Sequence, residues 1–234
     1  MKHIVAFIGL LLPIAMLANS VKAEPLIWGG KLEQFEYRVG DNGTDVMAWD
    51  GDAVIGSDEL KFVLLSKGEF QTDGDVMEKM ETQARLQTPI STFFDAFVGV
   101  RVDTPKGRDR VHGVVGVKGL APQWVEVDAD LYVSDHPSFR LGVSYEALIT
   151  NHIILTPSFE VDLPFSDDRA IEIGAWGPKA EIGARLSYDL IDRAVAPYIG
   201  VHYERFFGET ANIRTMEGKE GDALWFVTGV RLMF

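Results

Sequence analysis

The sequence predicts an all-β fold, a single transmembrane antiparallel up-and-down β-barrel of about 12 strands. Three observations carry this reading. Apolar and polar residues alternate with period two through segment after segment, as strands with two unlike faces require. The polar face mixes acids and arginines with glycine, as in Asp95–Gly99–Arg101, Glu181–Gly183–Arg185 and Arg140–Gly142, and small residues between charges suit a narrow polar lumen. The last segment sets Leu224, Phe226, Thr228, Val230, Leu232 and Phe234 on one face. A final strand ending on an outward aromatic looks like the assembly signal of outer-membrane barrels.

Residues 1–23 are expected to be a signal peptide. Lys2 supplies positive charge, Ile4 to Leu17 are apolar, and Val21-Lys22-Ala23 resembles a small-residue cleavage site. The apolar run is shorter than the roughly 20 residues a spanning helix needs. Residues 24–31 would then form a short periplasmic tail and 32–234 the outer-membrane β-barrel.

Strands are expected at 32–39, 45–55, 59–67, 76–88, 93–103, 110–119, 123–133, 138–147, 153–163, 179–189, 196–207 and 222–234. The clearest alternation sets Val125, Val127, Ala129, Leu131 and Val133 against Glu126, Asp128, Asp130 and Tyr132. An even strand number is the rule for single-chain bacterial barrels. With both ends in the periplasm, every second link is a short turn: 56–58, 89–92, 120–122, 148–152 and 190–195. The other set holds the three longest, 68–75, 164–178 and 208–221, which is the expected loop asymmetry. Pro89, Pro122 and Pro137 fall at strand junctions, where a missing N–H does least harm. Pro157 and Pro197 lie inside or beside strands and point to irregular pairing. Tyr37, Tyr145, Tyr188, Tyr203 and Phe94 fall near strand ends on the apolar face, where interfacial girdles form.

The formal net charge is −13, which argues against nucleic acid as a partner and is compatible with cationic ligands. There is no cysteine, so disulfides and thiolate metal sites are excluded.

Residues 32–38 (LEQFEYR), 119–135 (GLAPQWVEVDADLYVSD), 196–211 (APYIGVHYERFFGETA) and the terminal WFVTGVRLMF resemble the copper resistance protein B family, in order and over nearly the whole chain after the signal. The resemblance implies an integral outer-membrane barrel of a copper-resistance system, with copper as its ligand. The partners so implied are copper ions and outer-membrane lipid, with a periplasmic copper protein as a further candidate. Members of that family often carry a Met- and His-rich segment ahead of the barrel. Between Glu24 and Leu32 this sequence has neither residue, so a copper site is expected in the barrel or its loops.

The in-barrel candidates follow from strand parity. His202 and Glu204 are two apart on one strand and share the lumen face. His112 projects inward by the same argument. With Glu36, Asp128, Asp130 and Glu160 they offer nitrogen and oxygen donors that suit Cu(II). The alternative for each acid is a structural pairing with Arg38, Arg85, Arg101, Arg140, Arg185 or Arg231, because buried charges need partners. Met77-x-x-Met80 has a copper-like spacing, but residues three apart on a regular strand face opposite sides. The protein is not expected to be an enzyme. An outer-membrane lipid hydrolase built on Ser187 and His202 is the less favoured alternative, since both face the lumen and no GxSxG motif is present. A general or structural barrel without metal preference remains the alternative function.

Overall fold

The computed structural model describes residues 25–41, 43–104, 109–191 and 193–234. The signal segment expected at 1–23 lies outside them. The strands are β1 (Ile27–Gly40), β2 (Asp45–Gly56), β3 (Lys61–Gln71), β4 (Val76–Pro89), β5 (Phe94–Thr104), β6 (Arg110–Ala121) and β7 (Val125–Val133), followed by β8 (Ser138–Ser144), β9 (Ala147–Leu148), β10 (Ile153–Pro164), β11 (Lys179–Tyr188), β12 (Val195–Phe206) and β13 (Asp222–Met233). Apart from β8 and β9, chain neighbours pair antiparallel, and β1 pairs with β13, so the sheet closes on itself. β8 and β9 pair with the same edge of β10 and count as one stave, giving a closed barrel of 12 strands. Closure leaves no free edge, which is the condition for a sheet to stand in lipid.

The two faces of the sheet are inverted relative to a water-soluble barrel. Outside, Phe35, Val98, Val100, Ile182, Ile199 and Phe226 are all exposed. Inside, Glu36, Glu81, Arg85, Asp130, Arg140 and Arg185 are buried. No described helix is long and apolar enough to cross a membrane.

Several expectations are refined. β1 starts at Ile27, five residues before Leu32, so most of the expected tail is already paired with β2. β3 runs on to Gln71, which shrinks the expected 68–75 link to 72–75. Two long links remain, 165–178 and 207–221, neighbours on the rim opposite the one where β1 begins and β13 ends. The stave expected at 138–147 is interrupted after Ser144, and the cause is Pro157. Tyr145 N–H donates to the Pro157 carbonyl at 3.1 Å, but Pro157 has no N–H to return. Pro197 pairs with Val230 of β13, while pairing with β11 stops at Tyr198.

One irregularity moves a sequence motif. The β3–β4 register shifts between Glu69 and Phe70, so that Met80 pairs with Gly68 and Met77 with Phe70. The extra residue restores parity, and Met77 and Met80 both lie on the outward side rather than on opposite faces. They stand with Met47, which pairs with Phe70 from β2, as part of the apolar exterior.

Candidate cation site in the lumen

The waist of the lumen is a layer of ion pairs. Glu36 accepts from Arg185 Nε and Nη2, both at 2.8 Å, from Arg38 Nε at 2.8 Å and from the Tyr198 hydroxyl at 2.8 Å. Gly229 lets that hydroxyl in, since a Cβ there would stand 2.7 Å from the Tyr198 oxygen. Glu81 accepts from Arg140 Nη1 at 3.0 Å and pairs with Arg101 Nη2 at 2.9 Å. The guanidinium of Arg101 lies over the Tyr132 ring, 4.3 Å from its centroid. Such a network is stable only when nearly every member is satisfied, and here the arginines and acids answer one another.

A cavity of about 200 Å³ opens toward the rim carrying the chain ends, lined by residues such as Lys31, Asp52, Glu126 and Asp128. A second, of about 300 Å³, opens toward the long-link rim and is lined by Asp103, His112, His136 and Asp168 among others.

The expected ligands do not form one site, and Glu36 is already held by Arg38, Arg185 and Tyr198. Asp128 pairs with Arg85 at 3.4 Å and with Lys118 at 3.6 Å. Asp130 accepts from Arg85 Nη2 at 3.0 Å and from the Tyr132 hydroxyl at 3.0 Å. His112 lies in the long-link cavity, with Nδ1 at 2.9 Å from Ser134 Oγ and Nε2 at 3.5 Å from Asp103. The other three, Glu160, His202 and Glu204, sit on β10 and β12, the strands on either side of β11.

Between those strands the register builds a row of acids. Glu160 stands directly opposite Glu181, and Glu181 directly opposite Glu204. One step toward the chain-end rim, His202 stands opposite Gly183. One step the other way, Asp162 stands opposite Lys179. Donor oxygens of Glu160, Asp162 and Glu181 all lie within 4.8 Å of one another. Lys67 Nζ reaches both Glu160 oxygens, at 3.0 and 3.1 Å. Lys179 Nζ lies 2.8 Å from Glu181 and 2.6 Å from Glu204. Arg140 Nε donates to Asp162 at 2.7 Å.

His202 is buried against the Trp225 ring, centroids 5.6 Å apart, and neither of its ring nitrogens has a hydrogen-bond partner. Its Nε2 lies 3.4 Å from Glu181 Oε2. Glu181 and Asp162 are the members that sequence reasoning missed. Parity already placed both on the lumen face; what was lacking was the cross-strand register that brings them to Glu160 and His202. The Ser187–His202 pairing is not formed. Ser187 Oγ donates to the Ile154 carbonyl at 3.3 Å and stands opposite Tyr198, on the row four residues along β12 from His202.

The long links cover the second cavity together. Link 207–221 carries helix α1 (Gly208–Met216). Thr210 Oγ1 donates to the Gly177 carbonyl at 2.6 Å and accepts from Gly174 N–H at 3.1 Å. Arg214 and Lys219 both pair with Glu172. Asp168 takes Arg110 Nη2 at 3.0 Å, tying the cover to β6. Burial pushes the Asp168 carboxyl up, but the hydrogen bond and charge of Arg110, with His136 nearby, hold it below its ordinary value.

A closed sheet with an apolar exterior and a charged lumen defines a porin-like β-barrel of the bacterial outer membrane. The fold is similar to the NanC porin, with a TM-score of 0.53 at 12% identity, covering 88% of this chain and 99% of that one. The chain belongs to the copper resistance protein B family: the family model "Copper resistance protein B precursor (CopB)" matches residues 26–234. It is 34% identical over 205 residues to copper resistance protein B of Escherichia coli, covering 87% of this chain and 68% of that one. It is 30% identical over 204 residues to the copper resistance protein B homolog of Pseudomonas syringae pv. tomato, covering 86% of this chain and 68% of that one.

Proposed function

We propose that this outer-membrane barrel binds copper ions weakly within its lumen and passes them along it, with no enzymatic step. The observation that carries the reading is His202, a buried lumen imidazole with both nitrogens unpartnered beside Glu181, in a chain of a copper-resistance family. Imidazole with carboxylate oxygens is a donor set for Cu(II). The many acids facing the two cavities would concentrate cations, and loosely held ions can leave as well as enter. Glu204, Asp128, Asp130 and Glu160 contribute to this field, each already opposed by a cation, and His112 offers a further nitrogen donor in the long-link cavity. Copper is cargo here rather than a resident cofactor, and a periplasmic copper protein is the partner such passage calls for.

A second reading, a structural or general barrel without metal preference, is favoured by the arginine–carboxylate layer at the waist. Uptake by proteoliposomes containing the purified barrel separates the two. The copper reading expects copper to enter faster than zinc, and His202→Ala to slow copper without preventing barrel assembly. Equal rates for both metals, or entry of neither, would overturn it in favour of the second.

A further inference from the structure

We infer that Glu160, Asp162 and Glu181, closed by His202, form one seat for a divalent cation at the waist of the lumen, with Lys67 and Lys179 as resident counter-cations that the metal displaces. This deepens the copper reading and rests on it.

The row Glu160–Glu181–Glu204 is unfavourable by itself. Like charges directly opposite one another destabilise paired strands, and removal from water raises the cost. The row therefore stands only with cations in it, and two of these are lysines. Lysine is a compact point charge on a flexible stem, so Lys67 and Lys179 can withdraw when a metal arrives. Arg140 differs: its fork is fixed on Glu81 and Asp162 at once, so it orients Asp162 rather than yielding.

His202 supplies an independent observation. It is only 5% exposed, both of its nitrogens lack hydrogen-bond partners, and Nε2 lies 3.4 Å from Glu181 Oε2 on the wall of the same cavity that Glu160 and Glu181 line. A buried polar group without a partner is costly, and a cation shared with Glu181 would satisfy it. One nitrogen with three carboxylates suits a borderline divalent ion such as Cu(II). The place is also apt. Glu160, Glu181 and His202 line the chain-end cavity, whereas Asp162 and Lys179 line the long-link cavity. The seat is where the two halves of the lumen meet.

The test is Cu(II) titration of the full purified barrel by calorimetry, with electron paramagnetic resonance of the bound ion. Each variant is first checked for heat-modifiable folding. Glu181→Gln and Asp162→Asn are expected to weaken binding ~10-fold or more. His202→Ala is expected to remove nitrogen coupling from the spectrum. Lys67→Met is expected to tighten binding and slow passage through proteoliposomes, the opposite of what loss of a structural ion pair would do. Should Glu181→Gln fail to fold, the Lys67→Met and His202→Ala results decide. Unchanged affinity in Glu181→Gln and Asp162→Asn, or unchanged nitrogen coupling in His202→Ala, overturns the seat while leaving copper passage standing. Unchanged or weaker binding in Lys67→Met overturns the role of the lysines. A wild-type barrel that neither binds nor passes copper overturns the copper reading and the seat with it.

Discussion

Phe234 and Gly30 exchange both of their backbone hydrogen bonds, at 2.8 and 2.9 Å, across the β13–β1 junction. The Phe234 ring lies over the glycine, 3.2 Å from where a Cβ would stand. Phe234 therefore extends the seam beyond Met233. Deleting Phe234 removes two bonds worth about 1 kcal/mol each in net terms and exposes an edge that lipid cannot satisfy. The expected result is a lower yield of heat-modifiable barrel with export intact. Gly30→Val, which displaces the ring, is expected to do the same to a lesser degree. A normal yield in both would show that the seam closes without this contact.

The inverted faces make a position-specific prediction about charge. Val98 is outward and 58% exposed on β5. Val98→Arg is expected to cost roughly 2–4 kcal/mol of stability in lipid, as charges do near the midplane of barrels. Ser144 stands opposite Glu126 on the lumen face, and Ser144→Arg is expected to cost far less. Denaturant unfolding in bilayers measures both, and equal costs would contradict the assignment of faces.

Arg185 and Glu36 give the sharpest stability test of the waist. Glu36 accepts two of its bonds from Arg185, so Arg185→Ala leaves a buried carboxylate short of its main partner. The expected loss is about 3–5 kcal/mol. Adding Glu36→Gln removes the charge that was stranded and is expected to recover part of that loss. Without such recovery, packing rather than charge would account for the defect.

The long-link cover should depend on acid in one direction only. The folded Asp168 carboxyl is held below its ordinary value of 3.8. Its pairing with Arg110 therefore contributes above that value and is lost as pH falls through the depressed one. The protection factors of amides 168–173, with exchange referred to the intrinsic rate at each pH, are expected to be the same at about pH 5 and pH 7, where the carboxyl stays charged. Asp168→Asn should speed exchange at both. If the wild type loses protection between those pH values, the Asp168–Arg110 pair does not govern the cover.

Strand parity made much of this protein legible from residues alone. Val127 outward and Asp128 inward, the outward register of Phe234, and the paired charges of Arg85, Arg140 and Arg185 all follow from a period of two and the need to satisfy buried charge. His202 and Glu204 were placed on the lumen face by the same rule. Parity says nothing about height, however, because it leaves neighbouring strands free to slide. Only the closed sheet set Glu160 against Glu181 and Glu181 against Glu204, put Gly183 beside His202, and left Asp128 and His112 in other parts of the lumen. Only the bulge in β4 brought Met77 and Met80 to one face. The alternation of side chains is local, fixed by the pleat of each strand; which acids meet is decided by cross-strand hydrogen bonding, which the chain settles only when all its staves close.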